Sequence, residues 1–415
     1  MVEMDFTDFG DLAEDVLWGG LSKDAHRKFM SRCLELAERG WGKVSPNPMV
    51  GAVLVRGGEV LGEGWHAIFG GAHAERMLFE GLGTGLNEDF SDCILYVTLE
   101  PCAHFGKTPP CANLILEKGV GAVVVGVLDP NPKVSGRGVE ILRAAGVEVL
   151  LGILADECRR LNGSFWVNQV LGRSAVVSKW AETGDGFMGR VSDERVLISG
   201  EESGRWVHHL RSGMDAILVG VNTWNSDLPK LNVRGLEVSK QPIRIVLDRR
   251  LRGEYSAEAV NRSEAPLWVI YDLNFLESDE AMGIRELQFQ SLSEASGSDK
   301  LVGWGLDFAE VALEQKNLDN WIEKLLQWFY EAHGLGVILV EGGASILQSF
   351  LDADCVDEIH ILRNSQMRLE SGVMSPNLDR GMLHRDADFG SDEHWVWQRK
   401  VGGVSIETGE GDRAE

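Results

Sequence analysis

The sequence predicts two α/β domains in succession, the first of them a three-layer α/β sandwich. Three observations support this class. With 415 residues the chain exceeds one ordinary core, because a domain commonly takes roughly 150 residues. Short apolar runs typical of strands alternate with helical segments in both halves. Hydrophobic residues make up 44% of the chain, which is ample for burial in two cores.

The first half contains the elements of the sandwich in a definite order. Ser22 is a plausible N-cap, and apolar residues at helical spacing after it predict a helix that ends near Gly40. The runs MVGAVLV and EVLGEGW, joined by a glycine pair, predict a hairpin. The remaining predicted elements are a helix over Ala72 to Leu82, the strand ILYVTLE, a helix from Cys111, the strand AVVVGVLDP, the helix GVEILRAAG and the strand VEVLLG. Helix, two strands and then alternating helices and strands is the order of a three-layer sandwich.

The second half predicts another α/β domain. Strand-like runs occur at SAVVSKWAE, DAILVGVNTW, PIRIVLD, PLWVIYD, GVILVEGG and VDEIHILR, several of them followed by helical or loop segments. We therefore expect five regions. These are a mobile acidic arm at 1–21, a first domain at 22–155, a connecting segment at 156–172, a second domain at 173–405 and a disordered tail at 406–415.

Charge and composition exclude several classes of partner. The formal net charge of −24 supplies no basic face for phosphate neutralisation, so we expect neither a nucleic acid nor an anionic membrane as partner. No apolar run reaches the ~18 residues needed to cross a bilayer, and the acidic N-terminus has no secretory pattern. Six scattered cysteines do not form a disulfide framework, so we predict a cytoplasmic protein.

The stretch from Gly70 to Cys111 carries the ligands of a zinc site. His73, Cys102 and Cys111 supply one imidazole and two thiolates, which leaves the fourth tetrahedral position for water, as in catalytic zinc. Glu75 would stand beside that water as a proton carrier. The pattern His-x-Glu followed by Pro-Cys and a second Cys is typical of zinc deaminases, and it predicts hydrolytic removal of an amino group from a heterocycle. A structural zinc with His104 as fourth ligand is the alternative.

The spacing of the two cysteines departs from that pattern, because eight residues separate Cys102 from Cys111. Four motifs, SPNPMVGAVLV, GGAHAE, TLEPCAHFGKTPPC and DPNPKVSGRG, together resemble the deaminase domain of the bifunctional riboflavin-biosynthesis deaminase/reductase family. The resemblance implies a cytidine-deaminase-like fold and deamination of 2,5-diamino-6-(ribosylamino)pyrimidinone 5'-phosphate. It also implies that four residues line the base and phosphate site: Asn47, His104, Lys107 and Thr108. Taken alone, Asn47 between prolines is also compatible with an ordinary turn.

The second half lacks a G-x-G-x-x-G fingerprint after a strand. Its glycine pair in VEGGAS could place amides at a phosphate, but a plain strand-to-helix connection gives the same pattern. The motifs SKWAETGDGFMG, VHHLRSGMDAILVGVNTW, SDLPKLNVR, IRIVLD and ILVEGGASILQSFL resemble the reductase domain of the same family. The resemblance implies a dihydrofolate-reductase-like fold and NADPH-dependent reduction of the ribosyl group to ribityl. It implies cofactor contacts at Lys179, Glu182, Thr223, Asp227, Gly342 and Gly343, and substrate contacts at Arg211, Leu231, Arg234 and Glu341.

The same resemblance implies one zinc ion per chain, a small phosphorylated pyrimidine as substrate and a homo-oligomer. Two departures are present: Leu197 stands where many relatives carry a tryptophan, and Arg249 replaces a small polar residue. They leave a second hypothesis open, in which the C-terminal half is a degenerate reductase that only binds substrate or holds an oligomer together. A third hypothesis is that both halves are scaffolds or nucleic-acid editors, which the acidic charge and the long cysteine spacing disfavour.

Overall fold

The computed structural model describes residues 18–83, 89–103, 109–191, 196–273, 300–306 and 321–401. These residues divide into two compact units. One contains the chain up to Leu171 and from Lys400 onward, and the other is Gly172–Arg399. None of the described helices combines the length and the apolar character needed to span a membrane.

The first unit is built on a five-stranded sheet. Its strands are β1 (Gly51–Arg56), β2 (Glu59–Trp65), β3 (Cys93–Leu99), β4 (Ala122–Val127) and β5 (Glu148–Leu151). They lie in the order β2-β1-β3-β4-β5. Strands β1 and β2 form the predicted antiparallel hairpin, and β3, β4 and β5 are parallel. Its helices are α1 (Lys23–Ala37), α2 (Ala74–Gly81), α3 (Cys111–Glu117), α4 (Arg137–Ala144), α5 (Ala155–Leu161) and α6 (Gly163–Leu171).

Alternating side chains of the strands bury both faces of this sheet. Ala52 and Leu54 of β1 pack in one core with residues of α2, α3 and α4. Val53 and Val55 point the other way, into a core with residues of α1, α5 and α6. Two helical layers around one sheet confirm the predicted three-layer sandwich. Ser22 caps α1 as expected, because its side chain accepts a hydrogen bond from the Ala25 amide at 3.3 Å.

The segment predicted to connect the domains, 156–172, largely forms α5 and α6. The side chains of Cys158 and Trp166 from these helices lie in the core on the α1 face of the sheet. The domain limits given above stay a prediction.

Within the described residues, the second unit is organised around a nine-stranded sheet. The strands are β6 (Ala175–Thr183), β8 (Ala216–Gly220), β9 (Ile243–Leu247), β10 (Leu267–Asp272), β11 (Leu301–Leu306), β12 (Val337–Val340), β13 (Glu358–Asn364), β15 (His384–Phe389) and β16 (Asp392–Gln398). Their order is β11-β10-β9-β8-β12-β6-β13-β16-β15. Neighbouring strands from β11 to β13 are parallel, and β16 and β15 add antiparallel pairs at one edge. This architecture confirms a second α/β domain.

Short elements complete this unit. The strands β7 (Phe187–Gly189) and β14 (Val373–Met374) pair with each other. The helices in the described part of this unit are α7 (Glu201–Ser212), α8 (Val221–Asp227), α9 (Ala257–Val260), α10 (Trp321–His333) and α11 (Ala344–Asp352). Because β6, β8 and β12 are parallel neighbours, the residues at their carboxyl ends meet at one edge of the sheet, where ligands of open α/β sheets bind.

Candidate active sites

The three predicted zinc ligands of the first unit converge. His73 is the N-cap residue of α2, Cys102 follows β3, and Cys111 is the first residue of α3. Their ligand atoms all lie within 4.8 Å of one another. The His73 Nδ1 atom is 3.6 Å from the Cys102 Sγ atom and 3.4 Å from the Cys111 Sγ atom. One imidazole and two thiols fit the donor set of a catalytic zinc ion.

Hydrogen bonds around the two cysteines favour a thiolate. The amide of Cys111, at the N-terminus of α3, donates to the Cys102 Sγ atom at 3.2 Å. The Cys111 thiol, the His73 ring and this amide lower the pKa of the Cys102 thiol to about 4. A deprotonated sulfur is the form that binds a metal. His104, considered above as a fourth ligand, lies in the segment 104–108, outside the described residues.

Glu75 is buried beside these ligands. It lies in the first turn of α2, and only 3% of it is exposed. Burial raises the pKa of its carboxyl group. A higher pKa makes a carboxylate a better proton acceptor, which suits the proton-carrying role predicted for Glu75.

A cavity of about 340 Å³ opens onto His73, Glu75 and Cys102. Asn47 also lines this cavity, and its amide nitrogen lies 3.2 Å from the Nε2 atom of His66. The Nδ1 atom of His66 lies 2.9 Å from the Ala72 carbonyl oxygen, so it donates there and leaves Nε2 to accept from Asn47. The other residues that line the cavity are Pro48, Val50, Ala74, Leu99, Glu100, Asp129, Asn131, Val134, Phe165 and Gln169.

Several of these lining residues were not predicted as site residues. Asp129 and Asn131 belong to the motif DPNPKVSGRG, so a signal for them was present in the sequence. His66 had no such signal, because its role depends on a contact with Asn47, nineteen positions earlier. The predicted base and phosphate contacts His104, Lys107 and Thr108 lie outside the described residues and stay a prediction.

The second unit has a larger cavity, of about 480 Å³, at the edge where β6, β8 and β12 end. Six of the ten residues predicted for this half line it: Lys179, Arg211, Thr223, Asp227, Leu231 and Glu341. They come from β6, α7, α8, the loop after α8, and the end of β12. The fold therefore brings together residues that are as far as 162 positions apart, from Lys179 to Glu341.

An ion pair dominates the electrostatics of this cavity. The Arg211 guanidinium donates to both carboxylate oxygens of Glu341, at 2.5 to 3.1 Å, and to the Asn232 carbonyl oxygen at 3.1 Å. Burial alone would raise the pKa of Glu341, but the positive charges of Arg211 and Lys179 outweigh it and hold the pKa below its usual range. Burial lowers the pKa of the Lys179 ammonium group. The cavity thus holds two cationic groups around one carboxylate.

The glycine pair of VEGGAS packs against α8. A Cβ atom on Gly342 would lie 2.9 Å from the Thr223 Cγ2 atom, and one on Gly343 would lie 2.9 Å from the Thr223 Oγ1 atom. Gly343 also has a φ of 67°, in the region that favours glycine. The turn therefore needs glycine at both positions, and it places the N-terminus of α11 next to Thr223, a residue of the cavity.

Two predicted residues lie elsewhere. Arg234 is exposed, outside the cavity wall, with its amide donating to the Nδ1 atom of His208 at 3.1 Å. Glu182 is fully buried and accepts hydrogen bonds from Arg363 at 2.8 Å and Arg380 at 2.6 Å. Successive side chains of a strand alternate, so Glu182 points to the face of β6 opposite Lys179. The structure does not bring Glu182 together with the predicted cofactor residues.

The two departures from the family pattern have clear positions. Leu197 lines the cavity, and 78% of the residue is exposed. Arg249 follows β9 and donates to the Asp272 carboxylate at 2.7 Å. Neither change disturbs the Arg211–Glu341 pair or the glycine turn.

Comparisons with known proteins also divide the chain into two domains. The model of the cytidine and deoxycytidylate deaminase zinc-binding region matches residues 23–127, and that of the RibD C-terminal domain matches residues 174–366. The chain is 38% identical over 337 residues to the riboflavin biosynthesis protein RibD of Aquifex aeolicus, covering 81% of this chain and 86% of that relative.

Two solved structures are similar over nearly the whole length. Acinetobacter baumannii RibD superposes with a TM-score of 0.73 at 29% identity and covers 91% of this chain and 99% of that one. The diaminohydroxyphosphoribosylaminopyrimidine deaminase/5-amino-6-(5-phosphoribosylamino)uracil reductase of Thermotoga maritima gives a TM-score of 0.72 at 32% identity, over 90% of this chain and 98% of that one.

Proposed function

The chain belongs to the RibD family of riboflavin biosynthesis proteins. From that premise we propose which reaction each of its two cavities catalyses and which residues take part. It is a bifunctional enzyme, a zinc deaminase in its N-terminal half and a reductase in its C-terminal half. Its N-terminal fold is cytidine-deaminase-like and its C-terminal fold is dihydrofolate-reductase-like. The convergence of His73, Cys102 and Cys111 beside a buried Glu75 is the observation that carries the proposal.

In the first cavity the substrate is 2,5-diamino-6-(ribosylamino)pyrimidinone 5'-phosphate. His73, Cys102 and Cys111 would hold one zinc ion per chain, which supplies an acidified water when bound. Glu75 would take one proton of that water as the water oxygen bonds to the ring carbon that bears the amino group. It would then deliver the proton to that group, so that the C–N bond breaks and ammonia leaves. Asn47, fixed by His66, contacts the pyrimidinone ring, and His104, Lys107 and Thr108 contact the base and phosphate.

In the second cavity the deaminated product is reduced. When bound, NADPH would supply a hydride to the ribosyl carbon. The bond from that carbon to the ring oxygen breaks, the oxygen takes up a proton from water, and the sugar opens to a ribityl chain. Thr223, Asp227 and the turn at Gly342 and Gly343 hold the cofactor, together with Lys179. Arg211, Leu231 and Glu341 hold the substrate, because a guanidinium group suits a phosphate dianion. A substrate contact of Arg234, which lies outside the cavity wall, stays a prediction. The product is 5-amino-6-(ribitylamino)uracil 5'-phosphate.

The remaining features follow from the same assignment. The partners are small phosphorylated pyrimidines, and a net charge of −24 disfavours nucleic acids and anionic membranes. Six cysteines that are all free in the structure suit a reducing cytoplasm. The enzyme works as a homo-oligomer.

The test uses the purified chain in three measurements. Metal analysis should find about one zinc per chain. The diamino substrate should release ammonia, and the deaminated product should oxidise NADPH faster than NADH. A protein without zinc would remove the deaminase assignment. Ammonia release without any cofactor oxidation would leave a degenerate reductase half, the hypothesis that Leu197 and Arg249 motivate.

A further inference from the structure

A buried carboxylate next to a zinc ligand has no part in the chemistry described so far. Glu100 lies between the end of β3 and Pro101, and only 6% of it is exposed. Its Oε2 atom accepts from the amides of Asp129 at 3.1 Å and Gly136 at 2.8 Å. Its Oε1 atom accepts from the amides of Gly138 at 2.8 Å and Val139 at 3.3 Å. Four donors saturate the acceptor sites of one carboxylate.

The four amides belong to one stretch of chain. Asp129 and Gly136 lie in the loop 128–136 between β4 and α4, and Gly138 and Val139 lie in the first turn of α4. The same loop carries Asp129 and Asn131, two polar residues that line the deaminase cavity. Glu100 therefore fastens both ends of a loop that contributes two polar groups to the cavity.

The loop also packs on the backbone that leads to Cys102. A Cβ atom on Gly138 would lie 2.0 Å from the Pro101 carbonyl oxygen, so the start of α4 approaches this backbone as closely as a glycine allows. Glu100, whose carboxylate holds the loop, is thus two positions from the predicted zinc ligand Cys102. Any displacement of the loop would change its distance from Cys102 and Glu75.

Once the loop is placed, its side chains have little freedom. The Asn131 amide donates to the Asp129 carboxylate at 2.8 Å, and the Lys133 amide donates to the Asn131 side-chain oxygen at 3.0 Å. The Asn131 side-chain nitrogen donates to Gln169 at 3.1 Å. The orientation of Asn131 in the cavity therefore depends on the position of the loop.

We propose that Glu100 is a positioning residue of the deaminase, which holds the loop 128–136 so that Asp129 and Asn131 meet the pyrimidine substrate at a fixed distance from Glu75. Glu100 is among the residues that line the cavity, but both of its carboxylate oxygens accept from amides of this stretch, so it acts through the loop. The inference rests on the proposed deamination. A carboxylate is required because a glutamine offers one acceptor oxygen and turns an NH₂ group towards two amide donors.

The test compares Glu100→Gln and Glu100→Asp with the control Glu140→Gln. Glu140 lies in the first turn of the same helix but is exposed, so its replacement should leave both kinetic constants unchanged. Glu100→Gln should raise the KM for the diamino substrate about ten-fold or more, because at least two charge-assisted hydrogen bonds are lost, and should change kcat by less than about three-fold. Zinc content and NADPH oxidation should stay at the wild-type level. Glu100→Asp keeps both oxygens and should raise KM less.

A double variant separates positioning from general loss of structure. Asn131→Ala alone should raise KM. If Glu100 acts through the loop, Glu100→Gln combined with Asn131→Ala should lose about as much kcat/KM as the worse single variant, not the product of the two losses.

An unchanged KM in Glu100→Gln, a multiplicative double variant or loss of zinc from Glu100→Gln would each overturn the proposal. Should Glu100→Gln not fold, a wild-type KM in Glu100→Asp would overturn it. Failure of the wild-type chain to release ammonia would instead refute the proposed function.

Discussion

The Arg211–Glu341 pair allows a quantitative test by the substitution Glu341→Gln. The Glu341 side chain is 5% exposed and the Arg211 side chain 15%, so the pair is nearly removed from water. Glutamine keeps the shape but removes the negative charge. Arg211 and Lys179, whose charges repel each other, would then lack the carboxylate that compensates them.

The expected loss of stability can be worked out from this geometry. Removing one partner of a buried ion pair costs about 3–5 kcal/mol. Arg211 keeps its hydrogen bond to the Asn232 carbonyl oxygen, and the introduced glutamine would keep one acceptor oxygen, so we expect the lower end, about 3 kcal/mol. For a domain of this size about 1 kcal/mol corresponds to a change of about 2–4 °C in Tm, which gives a fall of about 6–12 °C.

The loss of stability caused by Glu341→Gln should decrease as the pH falls. The folded-state pKa of Glu341 is lower than its ordinary value. Its contribution to the free energy of unfolding is therefore complete above about pH 4.3, the unfolded value, and is lost as the pH falls through the folded pKa. The difference between wild type and Glu341→Gln should shrink on acidification.

Scanning calorimetry of the full chain measures the fall in Tm and its dependence on pH. Ammonia release checks that the first unit is intact. The matched control is Glu202→Gln, because Glu202 is 57% exposed and lies 3.9 Å from Arg205 in an exposed i,i+3 pair. That control should change Tm very little, since exposed pairs are worth about 0–1 kcal/mol. A Tm of Glu341→Gln within about 2 °C of the wild type would refute the buried ion pair.

Two further predictions concern the metal ligands and the glycine turn. Cys102→Ser should lose zinc and ammonia release while NADPH oxidation persists, and retained zinc would remove Cys102 from the ligand set. Gly343→Ala should raise the KM for NADPH about ten-fold, because its φ of 67° is strained for alanine and its Cβ would lie 2.9 Å from Thr223. The control Gly334→Ala has a φ of 65° but meets no atom within 4 Å, so it should leave that KM unchanged.

Local patterns in the sequence indicated the elements that carry the candidate zinc ligands. The zinc ligands sit at a helix N-cap, after a strand and at a helix start, and these boundaries depend on periodicity and turn residues that are visible in the sequence. The helix over Ala72 to Leu82 begins slightly later than predicted, at Ala74, so that His73 is the cap and not part of the first turn. The ligands themselves are 29 and 38 positions apart, from His73 to Cys102 and to Cys111, so it is the fold that brings them together.

Long-range contacts explain what the sequence could not give. His66 becomes a site residue through Asn47, and Glu100 acts through amides 29 to 39 positions away. Long-range contacts also keep a predicted residue away from the site. The Glu182 side chain pairs with Arg363 and Arg380, 181 and 198 positions later, on the face of β6 opposite Lys179. Sequence spacing does not reveal which charged partner lies across a sheet.

The most direct test of two successive reactions at separate sites is the variant Glu75→Gln, given the diamino substrate together with NADPH. The wild type should release ammonia and then oxidise NADPH. Glu75→Gln should keep its zinc, release ammonia at least about 10²-fold more slowly, and oxidise NADPH at the wild-type rate once the deaminated product is supplied. Wild-type ammonia release by the zinc-loaded variant, or NADPH oxidation with the undeaminated substrate, would contradict the account.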